Sequence, residues 1–88
     1  MNRNKLTVIY DMLNALQEKG GSMKPTHLMY KANLSYESMK THIEELKKQN
    51  LIVERNEGGK KMYALTDHGY KFIEEYKKFL QFSNAFRI

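Results

Sequence analysis

His42 and Glu45 stand three positions apart, which places both on one face of a helix at a spacing that metal ions can use. Two ligands do not make a site, and Ile43 beside His42 marks that histidine as a residue at the edge of a core. The other histidines, His27 and His68, add no metal-ligand pattern. There is no cysteine, so neither a disulfide framework nor a thiolate zinc site can form. Gly20-Gly21 and Gly58-Gly59 punctuate the chain and do not form a phosphate-cradling loop. The carboxylates lack a recognisable catalytic pairing and no nucleophile motif is present. A substrate pocket would consume most of the core that 88 residues can build. These residues therefore point away from an enzyme, and no metal or cofactor is implied.

A second set of side chains suits binding. The run "SYESMKT" carries Tyr36, Ser38, Lys40 and Thr41 on the early or outer part of one short helix. Lysine contacts guanine or phosphate, serine and threonine hydrogen-bond phosphate or base edges, and tyrosine reaches a phosphate or a thymine methyl. The run "RNEGGKK" adds Arg55, Lys60 and Lys61 around a glycine tip, diluted by Glu54 and Glu57. Each has a plainer role available. Tyr36 can pack on a neighbouring helix, Glu37 favours the positive end of its own helix, and Lys47 and Lys48 complement the other end. Glu44 and Glu45 would repel phosphates if they faced them, and Glu44 is spaced to pair with Lys40 or Lys48. Arg3, Lys5, Lys24 and Lys31 are further phosphate candidates.

These side chains need elements to hold them. Leu6, Ile9, Leu13 and Leu16 fall at helical spacing within residues 4–19, and Gly20-Gly21 ends that helix. Ser22 is expected to cap a second helix with Pro25 in its first turn and Leu28, Met29 and Ala32 facing inward. Asn33 turns the chain and Leu34 anchors the turn. Ser35 caps a third helix running to about residue 49, with Met39, Ile43 and Leu46 inward and Asn50 at its end. "LIVERN" and "KMYALT" then read as two strands joined through Gly58-Gly59. Thr66 or Asp67 starts a last helix. Phe72, Ile73, Tyr76, Phe79 and Leu80 cover more of its circumference than one side of a small domain needs.

Helix, helix, tight turn, helix, hairpin, helix is the order of a winged helix-turn-helix domain. The fold class expected is α+β and mostly helical: three helices and a β-hairpin wing over residues 1–66, continued by a C-terminal helix over 67–88. In helix-turn-helix proteins the second helix of the pair lies in the DNA major groove, with its N-terminal residues on the base edges. The run "MYKANLSY" at Met29 to Tyr36, with Thr66 and Gly69 opening the last helix, resembles a group of small archaeal winged-helix transcriptional regulators and DNA-binding proteins. The resemblance covers about residues 5–80. It implies double-stranded DNA as partner and a homodimer formed by pairing of the last helix with its copy in an antiparallel coiled coil. The sequence departs from the common winged-helix pattern at Asn50, where glycine is frequent, and the 22 residues after Thr66 allow only a short coil.

One edge of the last helix is expected to pack on Leu6, Ile9 and Leu13, leaving Ile73, Tyr76, Phe79 and Leu80 as the dimerisation residues. The net charge of +5 suits phosphates. No apolar run reaches membrane-spanning length, and the N-terminus lacks the apolar segment of a signal peptide, so a cytoplasmic protein without membrane or small-molecule partners is expected. Two other functions fit the same order of elements. One is a non-specific chromatin-type DNA binder. The other is a winged helix used for protein contacts in a transcription-related assembly, which the aromatic tail (Tyr70, Phe72, Tyr76, Phe79, Phe82, Phe86) would suit.

Overall fold

The computed structural model describes residues 3–87. In chain order it contains α1 (Lys5–Glu18), β1 (Ser22–Met23), α2 (Pro25–Lys31), α3 (Tyr36–Lys48), β2 (Ile52–Glu57), β3 (Lys60–Leu65) and α4 (Asp67–Phe86). The three strands form an antiparallel sheet in the order β1-β3-β2. Among the described residues no helix is long and apolar enough to cross a membrane.

The first three helices close in the same way. In each, one residue past the C-cap takes a left-handed conformation and the next amide reaches back to a carbonyl of the last turn. Gly21 N donates to Leu16 O at 2.8 Å, Leu34 N to Met29 O at 3.0 Å and Leu51 N to Leu46 O at 3.0 Å. The left-handed residue is Asn33 (φ 55°) after α2 and Asn50 (φ 59°) after α3. Asparagine is one of the few non-glycine residues that adopt this region readily. Both stops place a leucine directly after the turn, and Leu51 goes into the core.

The starts are capped by side chains. Asn4 accepts from Thr7 N, Ser35 from Ser38 N and Thr66 from Gly69 N. The expected cap at Ser22 does not form. Ser22 and Met23 pair instead with Ala64 and Tyr63 of β3, and α2 begins at Pro25 after Lys24, without a side-chain cap. Strand pairing takes Ser22 out of capping position, and Pro25 as the first helical residue has no N–H of its own to satisfy.

The core gathers Met12, Leu13 and Leu16 from α1, Met23 from β1, Leu28 from α2, Met39 and Leu46 from α3, Ile52 from β2 and Ile73 from α4, each under 2 % exposed. The helical spacings read from the sequence hold except at the first turn of α1, where Leu6 is exposed. The start of α4 passes close to Leu51, just before β2, and to Leu65 of β3. A Cβ at Gly69 would fall onto the Leu51 carbonyl oxygen and 3.0 Å from Leu65 Cδ2. Glycine is required there by contact, since its φ is ordinary.

Thr66 has two tasks. Its hydroxyl donates to Asn50 O at 2.6 Å while accepting from Gly69 N at 2.9 Å. One side chain thus ties the exit of α3 to the start of α4.

Candidate nucleic-acid interface

The sequence pattern of α3 separates its faces. Met39, Ile43 and Leu46 are buried, and Tyr36, Lys40, Glu44 and Lys47 follow at helical spacing on a face that looks towards the hairpin. Across from them stand Glu54, Lys61 and Tyr63. The register pairs Glu54 with Tyr63 and Asn56 with Lys61, so the pleat sends all these side chains to the face turned to α3. A groove of about 340 Å³ lies between helix and hairpin. Its floor is Met39, Ile43 and Tyr63, its aromatic wall is Tyr36, and its rim carries three ammonium groups and two carboxylates.

Tyr36 is 59 % exposed. The Lys40 ammonium sits 5.2 Å from its ring centroid, so the aromatic ring steadies the lysine without neutralising it. Among the described residues Lys40 and Lys60 make no ion pair. Thr41 is also exposed, but its hydroxyl donates to Glu37 O at 3.1 Å and is left only as an acceptor. Ser38 is half-buried. Lys40 is therefore the freest donor on the early part of α3.

The wing cations are not one cluster. Lys61 points into the groove, where its ammonium lies 5.5 Å from the Tyr63 ring centroid and 3.7 Å from Glu54 Oε1. The Tyr63 phenol, followed by Glu54, raises the Lys61 pKa above the ordinary lysine value. Arg55 and Lys60 lie on the other face of the hairpin, because strand neighbours alternate. Arg55 pairs with Glu57 at 3.6 Å. Lys60 approaches Lys24, whose pKa it lowers by hydrogen bonding and repulsion. This pair of ammonium groups escaped the sequence, where the two are 36 residues apart. Gly58 and Gly59, at φ 60° and 80°, give the two-residue turn that holds these cations at the hairpin tip.

Other candidates are already occupied. Arg3 pairs with Asp11 and donates to Asn33 O, and Lys5 pairs with Glu45. Glu45 thus turns away from the groove. Glu44 stays at the groove and pairs with Lys47 at 3.5 Å, not with Lys40 or Lys48. His42 Nδ1 is buried without a hydrogen-bond partner among the described residues. Among the described residues no group of three or more carboxylates and histidines could hold a metal ion.

The α4 helix carries an aromatic series. Tyr76 packs at a tilt against Tyr10 of α1 at 4.7 Å, stacks parallel to Phe72 at 6.1 Å and lies 6.0 Å from Phe79. Beyond α1 the series continues uncovered. Phe79 and Phe82 are 54 % exposed, Phe86 is 65 % exposed, and the Phe82 and Phe86 rings are 4.8 Å apart. Two of the expected dimerisation residues change role. Ile73 is 1 % exposed and belongs to the protomer's own core, because it falls on the edge of α4 that meets α1. Tyr76 is half-buried against Tyr10, whereas Leu80 stays half-exposed beside Phe79. The uncovered face is Phe79, Phe82 and Phe86, whose three- and four-residue spacing marks one stripe.

A helix-turn-helix followed by a β-hairpin that shares a groove with the second helix of the pair defines a winged-helix domain. The chain belongs to the winged helix-turn-helix family, whose profile matches residues 2–84. It is similar in structure to Sso10a-2, a DNA-binding protein from Sulfolobus solfataricus, with TM-score 0.81 and 18 % identity over 97 % of this chain and 86 % of that one. F93 from STIV, a winged-helix DNA-binding protein, superposes with TM-score 0.79 and 20 % identity over 90 % and 92 % of the two chains. AbsC, a MarR family transcriptional regulator from Streptomyces coelicolor, gives TM-score 0.75 and 21 % identity over 82 % of this chain, which spans 51 % of AbsC. No curated protein matches the sequence.

Proposed function

We propose that this protein binds double-stranded DNA as a homodimer and acts as a transcriptional regulator, with α3 in the major groove and the wing on the adjacent backbone. The observation that carries the reading is the shared surface of α3 and the hairpin. Tyr36, Lys40 and Lys61 line one groove, and Lys24 and Lys60, which make no ion pair among the described residues, neighbour each other on the other face of the wing. Lys40 is placed to read a guanine edge or hold a phosphate, and Thr41 to accept from a base amino group. The structurally similar Sso10a-2 and F93 are DNA-binding proteins, and AbsC is a regulator, which supports the same assignment here.

Dimerisation rests on Phe79, Phe82 and Phe86, three large apolar side chains in one stripe. Pairing of α4 with its copy covers them and presents two recognition helices to half-sites about 34 Å apart on one face of the duplex.

Binding to a random-sequence duplex, measured against salt concentration, tests the first part. The log–log slope should be about −0.9 for each phosphate contacted, and Lys60→Ala with Lys61→Ala should flatten it by up to about 1.8. Absence of any complex at low salt refutes DNA binding and leaves the fold as a protein-contact module. Selection from randomised duplex tests the regulator: an enriched motif supports it, and none makes the protein a chromatin-type binder.

A further inference from the structure

The groove between α3 and the wing contains a carboxylate where a phosphate-binding surface has least use for one. Glu54 Oε1 is 3.5 Å from Lys47 Nζ on α3 and 3.7 Å from Lys61 Nζ on the wing. Lys47 is also 3.5 Å from Glu44 Oε2. The charges therefore form a chain, Glu44–Lys47–Glu54–Lys61, that crosses the groove from helix to hairpin.

On the docking proposed above, with α3 in the major groove and the wing on the neighbouring backbone, the sugar-phosphate strand between them runs along this groove. Its phosphates then compete with Glu54 for the same two ammonium groups. We propose that Glu54 is a built-in competitor of the DNA backbone, holding Lys47 and Lys61 in the free protein and surrendering them to phosphate on binding. The proposal rests on the DNA-binding reading above.

The geometry suits exchange. The Lys61 side chain is 54 % exposed and that of Glu54 42 %, so neither ion pair is sealed from water. Exposed pairs of this kind are weak singly. They keep the lysines extended across the groove without locking them there. A duplex offers a row of phosphates in place of one carboxylate, and releases its condensed counterions as the lysines transfer. Glu54 itself stays behind as a negative charge beside the bound strand. Its net effect is to weaken binding at low salt and to make it less sensitive to salt. An arrangement in which Glu54 merely positions Lys61 has the opposite consequence, since removing the carboxylate would then cost affinity.

Glu54→Gln keeps the shape and removes the charge. Glu54→Ser removes the charge with a different shape, which separates electrostatics from packing. Both should bind random duplex about fivefold more tightly at low salt, which is what one unit-charge pair at about 4 Å is worth in water. The gain should vanish near 1 M salt, where screening extends to only about 3 Å. Without DNA, both variants should show faster acetylation of Lys47 and Lys61 by an amine-reactive ester, with Lys60 unchanged, read by peptide mass spectrometry. If the unaltered protein binds duplex and both variants bind it equally or more weakly, the competitor role is overturned while DNA binding stands. Unchanged acetylation of Lys47 and Lys61 overturns it as well. If the unaltered protein forms no complex at low salt, the DNA-binding reading falls and the proposal falls with it.

Discussion

Replacing Phe79 and Phe82 together with alanine should separate the proposed dimer without unfolding the protomer. Each ring is 54 % exposed in the single chain, so about half of its surface remains to be buried by a partner. Complete burial of a phenylalanine is worth roughly 1.5–3 kcal/mol, and the remaining half about 1 kcal/mol. Two rings from each of two protomers then contribute on the order of 4 kcal/mol to association. At 1.4 kcal/mol per tenfold change, the dimer dissociation constant should rise by about a thousandfold. Sedimentation equilibrium over a micromolar concentration series measures it directly. Thermal melting of the variant monomer should change little, because the core-forming edge of α4 at Ile73 and the Tyr10–Tyr76 contact are untouched. Affinity for a duplex with two half-sites should fall far more than affinity for a single half-site. A monomeric mass for the unaltered protein at micromolar concentration, or a variant that dimerises as before, would refute the reasoning from the uncovered stripe.

Lys40→Ala should relax base preference at one position by about 1–3 kcal/mol if Lys40 reads guanine, scored by selection with the variant; a uniform loss on all sequences assigns it to phosphate instead. Gly69→Ala drives a methyl group into the Leu51 carbonyl and should cost about 1–3 kcal/mol, lowering the melting temperature by roughly 4–8 °C per kcal/mol; an unchanged melt contradicts the close crossing of α4. The Lys24 pKa is lowered by Lys60, so between that midpoint and the ordinary lysine value the folded protein holds fewer protons than the unfolded chain. Its repulsion penalty is therefore present below the lowered midpoint and relieved as pH rises through it. A bound phosphate restores the charge, so duplex binding should take up a proton in that window and weaken as pH rises. Lys60→Met should return the Lys24 midpoint, followed by NMR, to the ordinary value.

The order of elements was legible because periodicity is local. Leu13 and Leu16, then Met39, Ile43 and Leu46, repeat at helical spacing and are buried, and Gly58-Gly59 marks the hairpin turn. The left-handed stops at Asn33 and Asn50 and the caps at Ser35 and Thr66 were legible for the same reason. Features that depend on distant pairing were not. β1 is two residues long, too short for alternation, and exists only because β3 lies alongside it some 40 residues later. The excess apolar surface of α4 was visible on a helical wheel, but which edge meets α1 is settled by the Tyr10–Tyr76 contact and not by α4 alone. Spacing alone therefore groups Ile73 with the outward residues, whereas the fold buries it, and does not single out Phe82 and Phe86 as the exposed end of the stripe. Glu54, Lys47 and Tyr63 form part of the groove through the packing of helix against hairpin, and no spacing along the chain announces it.

The double hydrogen bond of Thr66 has a mechanical consequence. It joins the helix proposed to enter DNA to the helix proposed to pair with a second copy. A 20-residue helix is about 30 Å long, so a tilt of about 10° at its root sweeps its tip by about 5 Å. That sweep exceeds the length of one base-pair step, roughly 3.4 Å. In a dimer joined through α4, one hydroxyl therefore sets the gauge between the two reading heads. Thr66→Val would be expected to change which half-site spacing is preferred while leaving each half-site's own sequence preference alone.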